Sequence, residues 1–323
     1  MTEALHPRLL GDVGGTNARF AWVERAGAPI ESARTYACND HASLLAALQH
    51  YLREQGKPAP RACSIGIATA VVGDEVTMTN HPWSFSISAL QRELGVERLL
   101  VINDFTALAM ALPGLAPEDL LQVGGGQGQP GAPVALIGPG TGLGVSGLLP
   151  APHSGRLVPI SGEGGHATLA ATNGREEAVI GALRRRYGHV SAERVISGPG
   201  LVNLYQALCT LDGVEPHVTD APAISDAALA RSDTQAVEAL AMFLSLLGTM
   251  TGNLALTLGA LGGVYIGGGI VPRLGDEILR SGFRAAFEDK GRYREYLARI
   301  PIHVIRARQS PALAGASRAL DEL

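Results

Sequence analysis

Gly11-Asp12-Val13-Gly14-Gly15-Thr16 sets a carboxylate two residues before a glycine pair and a hydroxyl just after it. Successive backbone N–H groups in a glycine turn form a concave anion site, and glycine lets a phosphate approach the main chain closely. A carboxylate such as Asp12 binds phosphate poorly, but it can hold the Mg2+ that neutralises phosphate, usually through water. The backbone part of this design returns in Gly138-Pro139-Gly140-Thr141-Gly142-Leu143-Gly144 and in the cluster Gly267-Gly268-Gly269. Two such turns on facing lobes would hold a polyphosphate between them. Taken alone, Gly14-Gly15 equally fits a plain hairpin turn.

Polar residues of a different kind follow. Val101-Ile102-Asn103-Asp104-Phe105 puts an amide and a carboxylate where a buried strand gives way to a helix, the edge at which open α/β sheets bind ligands. Asp104 fits two roles, a helix N-cap or the base that takes a proton from a hydroxyl attacking ATP. Ser161-Gly162-Glu163-Gly164-Gly165-His166 collects acceptors and donors suited to a polyol, although a loop histidine is also commonly just exposed. Glu193, in Ser191-Ala192-Glu193-Arg194, reads from spacing as an acid in the first turn of a helix. Neither lysine, Lys57 or Lys290, completes a Gly-Lys-Ser/Thr phosphate loop. A match to the dinucleotide fingerprint begins at Gly142, but Leu148-Leu149-Pro150 follows it where a long helix is required.

The elements that must carry these residues alternate between strands and helices. Strands are expected at 9–10 and 19–23, flanking the first turn, and at 62–70, 76–79 and 98–102. Helices are expected over 41–55, from the spacing of Leu44, Leu45, Leu48 and Leu52, and over 105–112. Residues 122–133 (QVGGGQGQPGAP) form a flexible loop. Strand, glycine turn and strand then recur across 134–149, a weak internal repeat that suggests two similar α/β lobes. No charged residue occurs from Ala239 to Val271. The glycine density at 262–263 and 267–269 argues for a buried helix over 236–258 and a strand at 264–266, against a membrane span.

Bulk properties narrow the class. The 323 residues suggest two domains or lobes. A net charge of −4 gives no footprint for nucleic acid, and Arg184-Arg185-Arg186 reads as a solvated helix face. Cys38, Cys63 and Cys209 lie far apart, as reduced cytoplasmic thiols do. The first six residues leave no room for a signal peptide ahead of the first strand.

The segments LLGDVGGTNARF, TNHPWSFS, VINDFTALAMALP, GPGTGLGVSGLL, SGEGGHATLA, HVSAERVISGPGLVNLY, GGVYIGGGIVPRL and SGFRAAFEDKGRYREYL resemble the bacterial glucokinase family, in matching order from about Leu9 to Ala319. The resemblance implies an α/β, two-lobed actin/hexokinase-like (ribonuclease H-like) fold with an ATP and sugar cleft between lobes. It places a small lobe at 1–114, joined by a C-terminal helix at about 305–323, and a large lobe at 115–304. It implies transfer of the ATP γ-phosphate to the 6-hydroxyl of glucose. Gly11, Asp12, Val13, Gly14, Gly15 and Thr16 would form the first phosphate loop, with Asp12 on Mg2+ through water. Gly140, Thr141 and Gly142 would form the second, and Gly267, Gly268 and Gly269 the turn near the adenosine. Asn103 and Asp104 would bind the sugar, with Asp104 as catalytic base. Glu163, His166, Glu193 and Asn80 would complete the sugar site.

The same resemblance implies a homodimer; the cysteine, charge and glycine readings above give the expectation of a cytoplasmic protein with no membrane or nucleic-acid partner. The family usually follows Gly-His with an acidic residue and an aromatic, but His166 is followed by Ala167-Thr168-Leu169-Ala170. No cysteine stands between Cys63 and Cys209, so the zinc site of the related ROK kinases is not expected. Mannose, fructose or an amino sugar are the rival substrates. A sugar-responsive regulator would need a DNA-binding segment, usually ahead of Gly11, where no space remains.

Overall fold

The computed structural model describes residues 5–151, 155–307 and 310–323. Contacts divide the chain into two compact units. The first takes Met1–Pro117, Leu148–Gly162 and Ala307–Leu323; the second takes Glu118–Gly147 and Glu163–Arg306.

In the first unit a five-stranded sheet has the order β3-β2-β1-β4-β7, with β1 at Arg8–Val13, β2 at Asn17–Val23, β3 at Glu31–Ala37, β4 at Ala62–Ile67 and β7 at Arg98–Asn103. A separate small hairpin pairs β5 (Glu75–Thr77) with β6 (Ser84–Ser86). β1 and β2 form an antiparallel hairpin, while β1, β4 and β7 run parallel. All six residues of β4 are buried, as a central parallel strand requires. Helix α1 (Leu44–Glu54) starts at Ser43, whose hydroxyl accepts from the Ala46 N–H, and buries Leu44, Ala47, Leu48 and Tyr51 as one stripe. These side chains join Leu9, Phe20, Trp22 and Ile65 in the core on one face of the sheet. Leu10, Ala21 and Val23 face the other way, onto Leu313 of the C-terminal helix Pro311–Glu322. That helix lies against α3 (Asp104–Ala111) so closely that any side chain at Gly315 would strike the Ala107 carbonyl. Buried Arg8 grips its far end through Asp321 at 2.5 Å. The unit also contains α2 (Ile87–Leu94) and β11 (Leu157–Gly162).

In the second unit the strands run in the order β10-β9-β12-β13-β8, with β8 at Leu120–Val123, β9 at Val134–Pro139, β12 at Gly263–Ile266 and β13 at Ile302–Ile305; β10 (Leu143–Pro150) belongs to this unit up to Gly147. β9, β12 and β13 are parallel. Helices α4 (Gly174–Tyr187), α5 (Gly198–Asp212), α6 (Ala221–Leu229) and α7 (Thr234–Leu258) pack around them. α7 is apolar enough to cross a membrane, but 67% of its most apolar window is buried inside the protein. Its Gly248 and Gly252 are needed for close packing, because a Cβ at either would run into the carbonyls of Phe283 and Phe287.

Three sequence expectations change. Gln122 and Val123 belong to β8, so the loop between β8 and β9 begins at Gly124. The strand after the first turn starts at Asn17. Leu148–Gly162, expected within a large lobe at 115–304, falls in the first unit, since β11 packs on α3 and Ser161 Oγ lies 3.1 Å from Thr106 Oγ1.

Candidate active site

The first glycine turn closes the β1–β2 hairpin, with the Gly14 N–H donating to the Asn17 carbonyl at 2.9 Å. Cys38 turns the loop's carbonyls inward. Its N–H donates to the Thr16 carbonyl at 2.8 Å, and its Sγ lies 3.3 Å from the Gly14 carbonyl. Among the described residues, the N–H groups of Gly15 and Thr16 have no acceptor. They are two successive donors open to an anion. Gly15 is required for space, since a Cβ there would lie 2.9 Å from the Asn80 carbonyl. Asn80 is thereby placed against the first turn.

Asp12 precedes this turn on β1, opposite Arg19 of β2 and Gly66 of β4. Its Oδ2 accepts from Arg19 Nη1 at 2.9 Å and from Ser310 Oγ at 2.7 Å. Its Oδ1 accepts nothing among the described residues. One row further along, Val13, Ile67 and Asn103 are in register. The three parallel strands β1, β4 and β7 therefore end together at the glycine turn and at Asn103-Asp104, the edge of an α/β sheet suited to ligands.

Asn103, not Asp104, caps α3. Its Oδ1 accepts from the N–H groups of Phe105 and Thr106, at 2.9 and 3.2 Å, and its Nδ2 donates to the Thr69 carbonyl at 3.3 Å. Asp104 is the first helical residue, half-buried, with Oδ1 accepting from the Phe105 N–H at 2.9 Å. The helix start can approach β4 because Gly66 has no side chain; a Cβ there would lie 2.9 Å from that of Ala107.

In the second unit, the Gly140 N–H donates to the Gly142 carbonyl and the Gly198 N–H to the Gly140 carbonyl, each at 2.8 Å. The N–H groups of Thr141 and Gly142 have no acceptor among the described residues. Gly268, at φ +78°, presses on the Pro139 carbonyl, and the Gly267 N–H donates to the Ile137 carbonyl at 2.9 Å. These contacts join the third glycine cluster to the second turn. Gly140, Thr141 and Gly269 line one cavity of about 680 Å3. Its walls are mainly apolar, from Pro199, Leu201 and Val202 of α5, Pro222 and Leu229 of α6, and Ile270. Asp220, Asp226 and Arg273 contribute charge. Sequence reading missed these three; only Arg273, four residues beyond the glycine cluster, carried a local signal.

Backbone bonds bring the Glu163–His166 turn and Glu193 together at Gly165, which sits against Leu143. Glu163 and His166 bracket a short turn, with the His166 N–H donating to the Glu163 carbonyl at 3.0 Å. The Glu193 N–H donates to the Gly165 carbonyl at 2.9 Å, and Glu193 Oε2 accepts from the Leu143 N–H at 2.8 Å. Glu193 is not a first-turn helix acid: α5 starts at Gly198, behind the Ser197 cap. Its carboxylate instead buttresses the end of the second turn, where a Cβ on Gly142 would lie 2.5 Å from Oε2. The proposed site residues thus form two sets, with Asp12, Asn80, Asn103 and Asp104 in the first unit and the rest of the acidic and imidazole groups in the second.

A sequence profile described as Glucokinase matches residues 9–323. The chain is 56% identical over 317 residues to a glucokinase of Aromatoleum aromaticum, covering 98% of this chain and 95% of that one. It is 52% identical over 309 residues to a glucokinase of Chromobacterium violaceum, covering 96% and 88%. A crystal structure of a glucokinase from an Antarctic psychrotroph superposes with a TM-score of 0.87 at 35% identity, covering 98% of this chain and 99% of that one. With the paired glycine turns and the Asn103-Asp104 strand end, these likenesses establish that the chain belongs to the glucokinase family.

Proposed function

We propose that Asp104 is the general base in the ATP-dependent phosphorylation of glucose, the reaction this family membership assigns to the chain. The Asp104 carboxylate takes the proton of the 6-hydroxyl as that oxygen attacks the γ-phosphorus, and ADP leaves on the opposite side. Asn103 has one amide hydrogen committed to Thr69, and its second is available to a sugar hydroxyl. Glu193 Oε2 is committed to Leu143, which leaves Oε1 to accept from the sugar beside Glu163 and His166. The open N–H pairs at Gly15-Thr16 and Thr141-Gly142 bind phosphate oxygens, and the cavity beside Gly269 takes the adenosine.

Asp12 fits a Mg2+ ion, since a carboxylate oxygen with no hydrogen-bond donor among the described residues suits a cation that keeps most of its water. When bound, Mg2+ neutralises the charge of the donor phosphates. Family membership supports a homodimer, and sedimentation should then give twice the mass of one chain.

The observation that carries this reading is the second glycine turn opening into an apolar cavity, because it offers phosphate donors and a heterocycle slot side by side. The test is the initial rate of glucose 6-phosphate formation with Mg·ATP, with mannose, fructose and N-acetylglucosamine run in parallel. A rate confined to glucose bears the reading out. A rate with another sugar alone moves the error to Glu163, His166 and Glu193.

A further inference from the structure

Ser310 occupies the N-cap position of the C-terminal helix Pro311–Glu322, yet its side chain makes no cap hydrogen bond. A serine there ordinarily accepts from an N–H of the first turn. Here the hydroxyl donates instead to Asp12 Oδ2 at 2.7 Å, from 298 residues away in sequence. The same oxygen receives Arg19 Nη1 at 2.9 Å. Two donors from different elements therefore converge on one carboxylate oxygen. They fix the carboxylate's rotation and leave Oδ1 as its only oxygen without a donor among the described residues.

The hydroxyl is held on a rigid support. Its helix is locked to α3 by the close approach at Gly315 and to β1 by Arg8 gripping Asp321. Arg19 is less constrained, with a side chain 38% exposed.

We propose that Ser310 is a positioning residue for the phosphate donor. It orients Asp12 so that Oδ1 meets the hydrated Mg2+ of the nucleotide. This rests on the reading that Asp12 faces that metal. A side chain already held in its working rotamer loses little freedom when the ligand arrives, which favours binding. The hydrogen bond is charge-assisted, so its loss is felt more than that of a neutral one.

The test is calorimetric titration of the full-length protein with Mg·ADP and with ADP in EDTA, together with glucose titration, for Ser310→Ala, Ser310→Thr and Asp12→Ala. Ser310→Ala should weaken Mg·ADP about tenfold while metal-free ADP, glucose and the melting temperature stay as in the parent. Ser310→Thr, which keeps the hydroxyl, should restore Mg·ADP binding. Asp12→Ala should remove the difference between the metal-bound and metal-free nucleotide. If Asp12→Ala does so but Ser310→Ala binds Mg·ADP normally, the positioning role is wrong and Asp12 keeps its own. If Asp12→Ala leaves Mg·ADP binding intact, the metal reading of Asp12 fails and the Ser310 proposal fails with it. Equal weakening of metal-free ADP and glucose by Ser310→Ala would show a structural role only and overturn the proposal.

Discussion

At the β1–β2 turn the chain brings a carboxylate toward the glycines; at the β9–β10 turn it brings an apolar wall. The frames are alike. Each turn joins a hairpin whose inner strand continues into two parallel neighbours, β2-β1-β4-β7 in one unit and β10-β9-β12-β13 in the other. Each turns a carbonyl inward, onto Cys38 in the first and onto Gly198 in the second, and leaves two successive N–H groups without an acceptor among the described residues. The difference is in the side chains. Asp12 stands two residues before Gly14, whereas the place two before Gly140 is Gly138. In return the second turn borders a cavity walled by α5 and α6. The backbone of a glycine hairpin supplies an anion site in either setting, and the residues packed around it decide what else that end handles: on the proposed reading, the metal charge at the first and the nucleoside at the second.

The largest effect tests whether chemistry can be separated from both turns. Asp104→Asn keeps the helix start, because Asn103 provides the cap. Turnover should fall by about 10²–10⁴, with glucose affinity by calorimetry held within a few-fold. Near-normal turnover would remove Asp104 from its role. Next, Asp12→Ala should raise the KM for Mg·ATP far more than that for glucose. The reverse pattern would mean that the two turns do not differ in the way proposed. Glu193→Ala removes the acceptor from the Leu143 N–H as well as the proposed sugar contact. A rise of about tenfold or more in the glucose KM is expected, and an unchanged value would leave Glu193 as a buttress alone.

Alanine in the turns sharpens the comparison further. A Cβ at Gly140 meets nothing within 4 Å, while one at Gly142 meets Glu193 and one at Gly15 meets the Asn80 backbone. Gly140→Ala should leave the melting temperature unchanged and raise only the KM for ATP, because the new methyl crowds the ligand alone. Gly15→Ala should lower stability by about 1–3 kcal/mol, the usual cost of overpacking, as read by denaturant titration. Equal loss of stability in both variants would show that the second turn is as tightly enclosed as the first.

What sequence reading found and missed divides along contact range. The helices over 44–54 and 234–258 and the strand ends beside each glycine turn were legible, because periodicity and glycine act within a few residues. Asn103 and Asp104 are both good caps, so adjacency alone could not tell which of the two would cap α3. Glu193 resembled a helix acid because the competing contact, the Leu143 N–H, lies 50 residues away. The partners of Asp12 span 7 and 298 residues, and Asp220 and Asp226 reach the cavity beside Gly140 only through the placement of α6. Family likeness implied a sugar-site role for Glu193; what the structure adds is the contact that fixes its carboxylate, the Leu143 N–H.

The smallest expected effect separates the two sheets by their response to acid. His303 on β13 stacks against Tyr265 of β12, with ring centroids 5.3 Å apart, and its buried Nδ1 has no hydrogen-bond partner among the described residues. Burial pushes its pKa below the ordinary 6.5. Above that value the imidazole is neutral in both folded and unfolded chains, and His303 contributes no pH dependence. Below it the unfolded chain takes up a proton that the folded sheet resists, so stability falls as pH drops from about 6.5 toward the lowered folded value. The five strands of the first unit's main sheet contain no histidine. Urea unfolding at pH 7.5 and 5.5 should therefore show a loss that His303→Phe reduces, because phenylalanine keeps the stacked ring and removes the proton site. If the loss is unchanged in that variant, the acid response arises elsewhere, and the second sheet is no more sensitive to pH than the first.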